Sequence, residues 1–205
     1  MKRARSSFQA YLIDIIRNYI RKLRTLCGNI TKDLELSVTR KTFGQEIICQ
    51  FMKNYGIESR GTIYLLNEIE FYYYDPLYED LRIGSSKTRI TYERTAQAGC
   101  WFIHDYGVDL TFDSDKDNGF GGGILIRSIE NQATTDVVTG PRNCVNELWD
   151  EAVDAFSSTA PNPKIVRINE REIELNEPDT RITVDKYDGY KSKWRFTVKG
   201  KKVSK

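Results

Sequence analysis

The stretch Asn67-Glu68-Ile69-Glu70-Phe71-Tyr72 carries the residues whose types and spacing are best suited to chemistry. Side chains alternate along a β-strand, so Glu68, Glu70 and Tyr72 are predicted to share one face while the apolar residues between them occupy the other. A carboxylate beside a phenol on the floor of a pocket could act as a general base, which makes Glu70 the first catalytic candidate. The alternative is a half-exposed strand of an antiparallel sheet whose carboxylates face water.

Three other motifs carry weaker chemical signals. The acidic loop at 113–119 resembles a calcium loop, but the EF-hand pattern requires Gly and Glu where Asn118 and Ile124 stand, so a hairpin loop is the better interpretation. The glycines at 121–123 lack the Lys-Ser/Thr that follows a phosphate-binding loop. A catalytic triad built on His104-Asp105 lacks an identifiable nucleophile.

The elements that position these residues follow from hydrophobic periodicity. An amphipathic helix is predicted from Phe8 to Leu26, a second helix around 43–52, and a third after Gly140-Pro141. Strands are predicted at 62–74, 100–104, 108–112, 124–129, 165–168, 173–175, 181–184 and 194–198. We therefore expect a mixed α/β (α+β) fold, with one domain at 33–205 built on a curved, mainly antiparallel sheet flanked by helices, preceded by a basic amphipathic N-terminal helix at 1–32.

Composition and charge narrow the class of protein. The four cysteines are far apart and show no CxxC spacing, so we expect neither a zinc site nor a disulfide framework, and we expect a reducing compartment. Charged residues interrupt the N-terminal apolar run, which indicates a soluble intracellular, cytoplasmic protein without a membrane span. Net charge is +7 over 1–32, −12 over 33–180 and +7 over 181–205. Two basic ends could together form a surface for a polyanion, or be solvated faces.

Several segments, taken in order over roughly residues 38–204, resemble one family, the alkyladenine (3-methyladenine) DNA glycosylases. The family's catalytic V-E-T-E-A-Y strand corresponds to 67–72, its Y-x-Y-x-x-Y-G segment to 101–107, and its L-L-R-A-x-E-P strand to 124–130. Its G-P-x-x-L turn corresponds to 140–144. Its R-I-G-V and L-R-F-Y-V-x-G pieces correspond to 181–184 and 194–200, followed by Val203-Ser204.

The resemblance implies a monofunctional glycosylase of base excision repair that flips an alkylated or deaminated purine out of double-stranded DNA. Glu70 would activate the attacking water and Arg127 would help to hold that water and keep the carboxylate ionised. Tyr72 would pack on the flipped base, and Tyr106 would fill the gap in the stack as a wedge. No cofactor is implied, because the nucleophile is water, and a monomer is expected. The DNA-binding residues predicted on this basis are Tyr106, Gly107, Arg142, Lys193 and Arg195.

The chain departs from the family pattern around the base pocket. A family histidine is replaced by Leu81, and a rim asparagine by Asp113. The second pocket aromatic is replaced by Ile103, unless Phe102 substitutes by a shift of one residue. His104, the single histidine of the chain, is either a displaced donor to the base or a half-exposed strand residue.

Three functions therefore stay open at this point. The first is an active glycosylase, which requires Glu70, Arg127 and Tyr72 to converge. The second is a catalytically silent DNA-binding relative, and the third is a protein-interaction module whose partner docks on the N-terminal helix.

Overall fold

The computed structural model describes residues 45, 46, 48–74, 99–111, 121–149, 162–182 and 194–204. Some of the predicted features lie outside these ranges. They are the helix and domain at 1–32, the loop at 113–119, the strand residues 183–184, Leu81 and Lys193. Within the described ranges, no helix has the length and the apolar character needed to cross a membrane.

Two helices and eight strands make up the described structure. Helix α1 comprises residues 45–46 and 48–54, and helix α2 spans Pro141–Leu148. The strands are β1 (Tyr55–Ser59), β2 (Thr62–Tyr74), β3 (Trp101–His104), β4 (Gly107–Thr111), β5 (Gly121–Asn131), β6 (Val137–Thr139), β7 (Lys164–Arg167) and β8 (Arg195–Thr197). The predicted mixed α+β class is confirmed, and β2 has its predicted bounds.

The described strands form one curved sheet in which every pairing is antiparallel. The main strand order is β3-β4-β5-β2-β1-β7, while β6 pairs with β5 and β8 pairs with β2. Strand β2 is central, because β5 runs along one of its edges and β1 and β8 share the other. A side chain in the middle of β2 is therefore flanked by other strands on both sides.

Both helices pack on one face of this sheet and form the main core with it. Buried residues of α1 and α2 join the apolar side chains of the central strands in one contiguous cluster, which includes Met52, Leu66, Ile69, Ile126 and Leu148. These side chains are at most 1% exposed. The opposite face of the sheet, which carries Glu70, is the Glu70 face.

A paired irregularity in the sheet decides which residues reach the Glu70 face. The register places one extra residue in β2 at Asn67 and one in β5 at Arg127, on either side of the Glu68↔Ser128 pair. A β-bulge of this kind reverses the alternation of side chains along a strand. Leu66 before the bulge and Ile69 after it therefore both enter the main core. The acidic residues of β2 are consequently directed to the other face.

Tyr55 and Gly56 belong to a strand that the sequence did not predict. The sequence predicts a helix around 43–52 and no strand before residue 62, but β1 begins at Tyr55 and pairs with both β2 and β7. Gly56 fits this position because a Cβ there would lie 2.9 Å from the Tyr64 carbonyl oxygen. Glycine at this position of β1 thus permits the close approach of β2. The predicted strand at 173–175 is reduced to a single bridge between Leu175 and Val198.

Candidate active site

Glu70 lies in the middle of β2 and is fully buried, with 0% exposure. Its Oε1 accepts a hydrogen bond from the Ile182 backbone N–H at 2.6 Å. Its Oε2 accepts from the Tyr72 hydroxyl at 2.8 Å and from Arg127 Nη1 at 3.3 Å. The predicted alternation of β2 is confirmed, since Glu70 and Tyr72 touch on one face while Ile69 lies in the core on the other. The alternative of a carboxylate facing water is excluded by this burial.

Arg127 links the two carboxylates of the Glu70 face. Its Nη1 contacts Glu70, while its Nε lies 3.2 Å from Glu68 Oε1 and 3.1 Å from Ser204 Oγ. The side chain is 7% exposed. Arg127 occupies the irregular position of β5, and its carbonyl oxygen accepts from the Gly140 N–H at 2.8 Å instead of from β2. The convergence of Glu70, Arg127 and Tyr72, which the glycosylase hypothesis requires, is present.

Glu68 has a different environment from Glu70, although both are 0% exposed. Its Oε2 accepts from the Ser204 N–H at 2.6 Å, and the Ser204 hydroxyl lies within 2.8 Å of both carboxylate oxygens. Its Oε1 also pairs with Arg195 Nε at 2.7 Å. These bonds join the C-terminal segment to the central strand. Glu68 is thus saturated by protein groups and has a structural role.

Arg195 is not placed as expected of a residue that binds DNA phosphate. Its Nε is bound to buried Glu68, its Nη2 donates to the Ser204 carbonyl oxygen at 2.9 Å, and its Nη1 lies 3.7 Å from Asp179. The side chain is 13% exposed. Strand β8 directs Arg195 to the Glu70 face because it pairs opposite Glu70 in the sheet. Arg195 thus forms an internal ion pair, and its contact with DNA stays a prediction.

Burial raises the pKa of the Glu70 carboxyl above its ordinary value of 4.5. The charge of Arg127, the Ile182 N–H, the Tyr72 hydroxyl and the charge of Arg181 all act in the opposite direction but do not outweigh burial. The charge of Arg127 by itself lowers the pKa of Glu70, as expected, but the overall pKa of Glu70 is raised. A raised pKa makes the ionised carboxylate a stronger base.

Tyr72 is covered by a residue whose position the sequence did not predict. The Arg181 guanidinium carbon lies 4.7 Å from the centre of the Tyr72 ring and 5.5 Å from that of Trp194. Arg181 Nη1 also donates to the Phe71 carbonyl oxygen at 3.3 Å. Tyr72 is 3% exposed and packs on Leu125 in a small cluster apart from the main core. Its proposed stacking on a flipped base stays a prediction.

A row of directly paired residues crosses the Glu70 face. Glu70 of β2 pairs with Leu125 of β5, Leu125 with Asp109 of β4, and Asp109 with Phe102 of β3. Directly paired residues point to the same face of a sheet, so Phe102 shares the face of Glu70. Ile103 points to the other face and is 48% exposed. Of the two candidates for the second pocket aromatic, Phe102 is therefore on the required face and Ile103 is not.

Asp109 is a further buried carboxylate that the sequence interpretation overlooked. It is 0% exposed, and its Oδ2 lies 3.0 Å from His104 Nε2. A single acid between Val108 and Leu110, both in the core, was the signal that could have identified it. His104 is on the Glu70 face, bound to Asp109.

The hairpin of β3 and β4 presents Tyr106 at its tip. Tyr106 is 60% exposed, in agreement with the surface position that a wedge requires. Gly107 lies against α2, because a Cβ there would be 2.7 Å from Pro141 Cβ and 3.0 Å from Leu125 Cδ1. Arg142 is exposed in the first turn of α2, which fits its predicted surface role. Asp113 lies outside the described residues.

Comparison with known proteins finds no family model that matches the chain and no curated protein that is significantly similar to it.

Proposed function

We propose that this protein is a monofunctional DNA glycosylase that hydrolyses the N-glycosidic bond of a flipped alkylated or deaminated purine. The observation that carries the proposal is the contact of Glu70 with Arg127, at 3.3 Å, beside the Tyr72 hydroxyl on the face of the sheet opposite the main core. These residue types meet the needs of hydrolysis at a sugar carbon whose transition state resembles an oxocarbenium ion. The finer assignment of the fold to the glycosylase family belongs to this proposal.

In the proposed reaction Glu70 accepts a proton from water as the water oxygen attacks C1′ of the flipped nucleotide. The bond from C1′ to the purine nitrogen breaks, and its electron pair leaves with the base. The products are the free base and an abasic site, and no external cofactor is consumed. Arg127 orients the carboxylate and the water, and Tyr72 borders the base. A cationic alkylpurine leaves as a neutral molecule and needs no general acid, so it is the least demanding substrate. A deaminated purine leaves as an anion and gains its proton from solvent water.

The test measures release of free base from duplex DNA that contains 3-methyladenine, 7-methylguanine or hypoxanthine. The protein is present in molar excess over the DNA. We expect release by the wild type and loss of release in Glu70→Gln, with DNA binding retained. Wild-type protein that binds these duplexes without releasing any base would refute the proposal. An intact DNA backbone after the reaction is expected before alkali treatment, because a monofunctional enzyme leaves an abasic site.

A second candidate function is a catalytically silent DNA-binding relative. The observation in its favour is the closure of the site, where Glu70 accepts from three protein donors and Arg181 lies over Tyr72. This candidate predicts salt-sensitive binding of duplex DNA without base release, since phosphate contacts weaken as salt rises. Absence of DNA binding at low salt would exclude both DNA functions and would favour a protein-interaction module.

A further inference from the structure

The tip of the β3–β4 hairpin is held by an unusual set of contacts. Residues Asp105 and Tyr106 form a two-residue connection between His104 and Gly107, which pair with each other. Two-residue hairpins usually adopt turns with positive φ in at least one central residue, because those turns match the twist of the strands. Neither Asp105 nor Tyr106 has a positive φ. The turn therefore lacks the backbone conformation that usually favours two-residue hairpins.

A side chain from the preceding strand contacts the backbone of this turn. The Tyr106 backbone N–H donates to His104 Nδ1 at 3.2 Å. Because Nδ1 accepts this bond, the neutral imidazole carries its proton on Nε2, which lies 3.0 Å from Asp109 Oδ2. Asp109 is fully buried in β4 and is fixed by the sheet. The contacts thus run from the buried row of the Glu70 face, through the imidazole, to the amide at the tip.

Ring contacts along the same hairpin reinforce the arrangement. The His104 ring lies 5.7 Å from the Phe102 ring and 6.2 Å from the Tyr106 ring, measured between ring centres. Both distances are within the range of favourable aromatic pairs. On the other side of the tip, Gly107 packs against Pro141, which limits movement of the strand toward α2. The hairpin that carries the exposed Tyr106 ring thus has packing contacts on both sides of its tip.

We propose that His104, oriented by Asp109, is a positioning residue that holds Tyr106 in the geometry needed to insert into duplex DNA. This inference rests on the proposed function, because it assigns the wedge to a DNA-binding hairpin. It also explains the single histidine of the chain without a contact to the flipped base, since both ring nitrogens are engaged within the protein. A preordered tip lowers the entropic cost of insertion, which improves binding.

The first part of the test needs no DNA. We expect nitrogen chemical shifts of the His104 ring to show a proton on Nε2 at neutral pH and an unprotonated Nδ1. His104→Phe keeps an aromatic ring but removes both bonds, so hydrogen exchange of the Tyr106 amide is expected to become about five- to tenfold faster, the effect of one lost hydrogen bond. His104→Asn places an amide oxygen near the position of Nδ1 and should restore most of the protection. Exchange unchanged in His104→Phe would overturn the proposal.

The second part measures affinity for duplex DNA in a double-mutant cycle. If His104 acts through Tyr106, His104→Phe weakens binding about three- to tenfold in the wild type but adds nothing in Tyr106→Ala. Losses that multiply in the double variant, or a wild type that does not bind DNA, would overturn the inference. If the double variant binds DNA no more weakly than Tyr106→Ala but the wild type releases no base, the role of His104 is supported and the proposed hydrolase is refuted. If the wild type releases base but the two losses of affinity multiply, the hydrolase is supported and the role of His104 is refuted.

Discussion

Replacing Glu70 by Gln tests the chemistry with the smallest change in shape. The amide has the size of the carboxyl group but cannot accept a proton from water, so the rate of base release is expected to fall by about 10²–10⁴-fold, the usual contribution of a general base. The structure predicts that the fold survives. Of the three donors to Glu70, the Tyr72 hydroxyl can instead accept from the new amide, and Arg127 keeps its bond to Glu68. We expect the change in hydrogen bonding by itself to alter the free energy of unfolding by no more than about 1 kcal/mol.

The raised pKa of Glu70 adds two pH dependences with defined signs. The base must be ionised, so the rate of release should fall with acid at a pH above the ordinary glutamate value of 4.5. In the unfolded chain this carboxyl titrates near that ordinary value, so between the two pKa values the native state binds more protons than the unfolded state. The contribution of Glu70 to the free energy of unfolding therefore falls as pH rises from 4.5 through the raised value. Glu70→Gln removes this fall and should gain stability relative to the wild type over that window.

Single-turnover base release and urea unfolding, each measured from pH 4 to 8, check these statements. Glu68→Gln is the matched control, because Glu68 is on the same strand and equally buried. It leaves Arg195 and Ser204 without their carboxylate and is expected to destabilise the protein by about 3–5 kcal/mol, as for other broken buried pairs. In conditions where it is folded, its rate of release should stay within about tenfold of the wild type. The reasoning is refuted if Glu70→Gln retains the wild-type rate, or if Glu68→Gln loses more rate than Glu70→Gln.

Three further predictions concern the support of the site. Gly107→Ala should reduce the free energy of unfolding by about 1–3 kcal/mol in urea titrations, because its Cβ would overlap the rigid first turn of α2; an unchanged midpoint would contradict this packing. Burial raises the pKa of the Cys144 thiol to about 12, so mass spectrometry of thiol-labelled native protein should find the exposed Cys100 modified and Cys144 modified only after unfolding. Burial raises the pKa of Glu130, but hydrogen bonds from Lys201 and Asn67 outweigh burial and lower the pKa below its ordinary value. Glu130 therefore stabilises the fold above the ordinary glutamate pKa, and this stabilisation is lost as pH falls through the lowered pKa. Glu130→Gln should accordingly cost about 1.5 kcal/mol at pH 7 and progressively less in acid, and a cost independent of pH would argue against the ion pair with Lys201.

The sequence predicted the parts of the site that depend on local pattern. The alternation of β2 placed Glu70 and Tyr72 together, and the turn at Tyr106-Gly107 placed an aromatic ring at an exposed tip. Both follow from neighbouring residues in the chain, and local periodicity reports them directly. The glycosylase resemblance added the expectation that Arg127, far away in sequence, would reach Glu70, as it does.

The parts that could not be predicted depend on long-range pairing. The extra residues at Asn67 and Arg127 leave no local signal, because a bulge is defined by the partner strand. Arg195 looked like a surface cation in a basic segment, and its pairing with Glu68 depends on the docking of β8 on β2. The position of Arg181 over Tyr72 similarly depends on a contact between residues 109 positions apart. Of the cations in residues 181–205, Arg181 and Arg195 are therefore engaged within the protein.

Arg181 lies over Tyr72, so a flipped base that stacks on Tyr72 would have to replace the contacts of Arg181 with this ring. The contacts that hold Arg181 over Tyr72 include a cation–π contact worth about 0.5–2 kcal/mol, a second one with the Trp194 ring, and a hydrogen bond at 3.3 Å to the Phe71 carbonyl oxygen. Stacking of a base on an aromatic side chain supplies about 1–3 kcal/mol, and a cationic base gains further from the nearby carboxylates. The ligand thus supplies an energy comparable to that of the cation–π contact with Tyr72 that it would replace. The bond from Ile182 to Glu70 is a separate constraint, because a water molecule must share the carboxylate with a backbone N–H that donates to it at 2.6 Å. Under the proposed function, access of water to Glu70 is therefore a step that separates an active glycosylase from a silent relative.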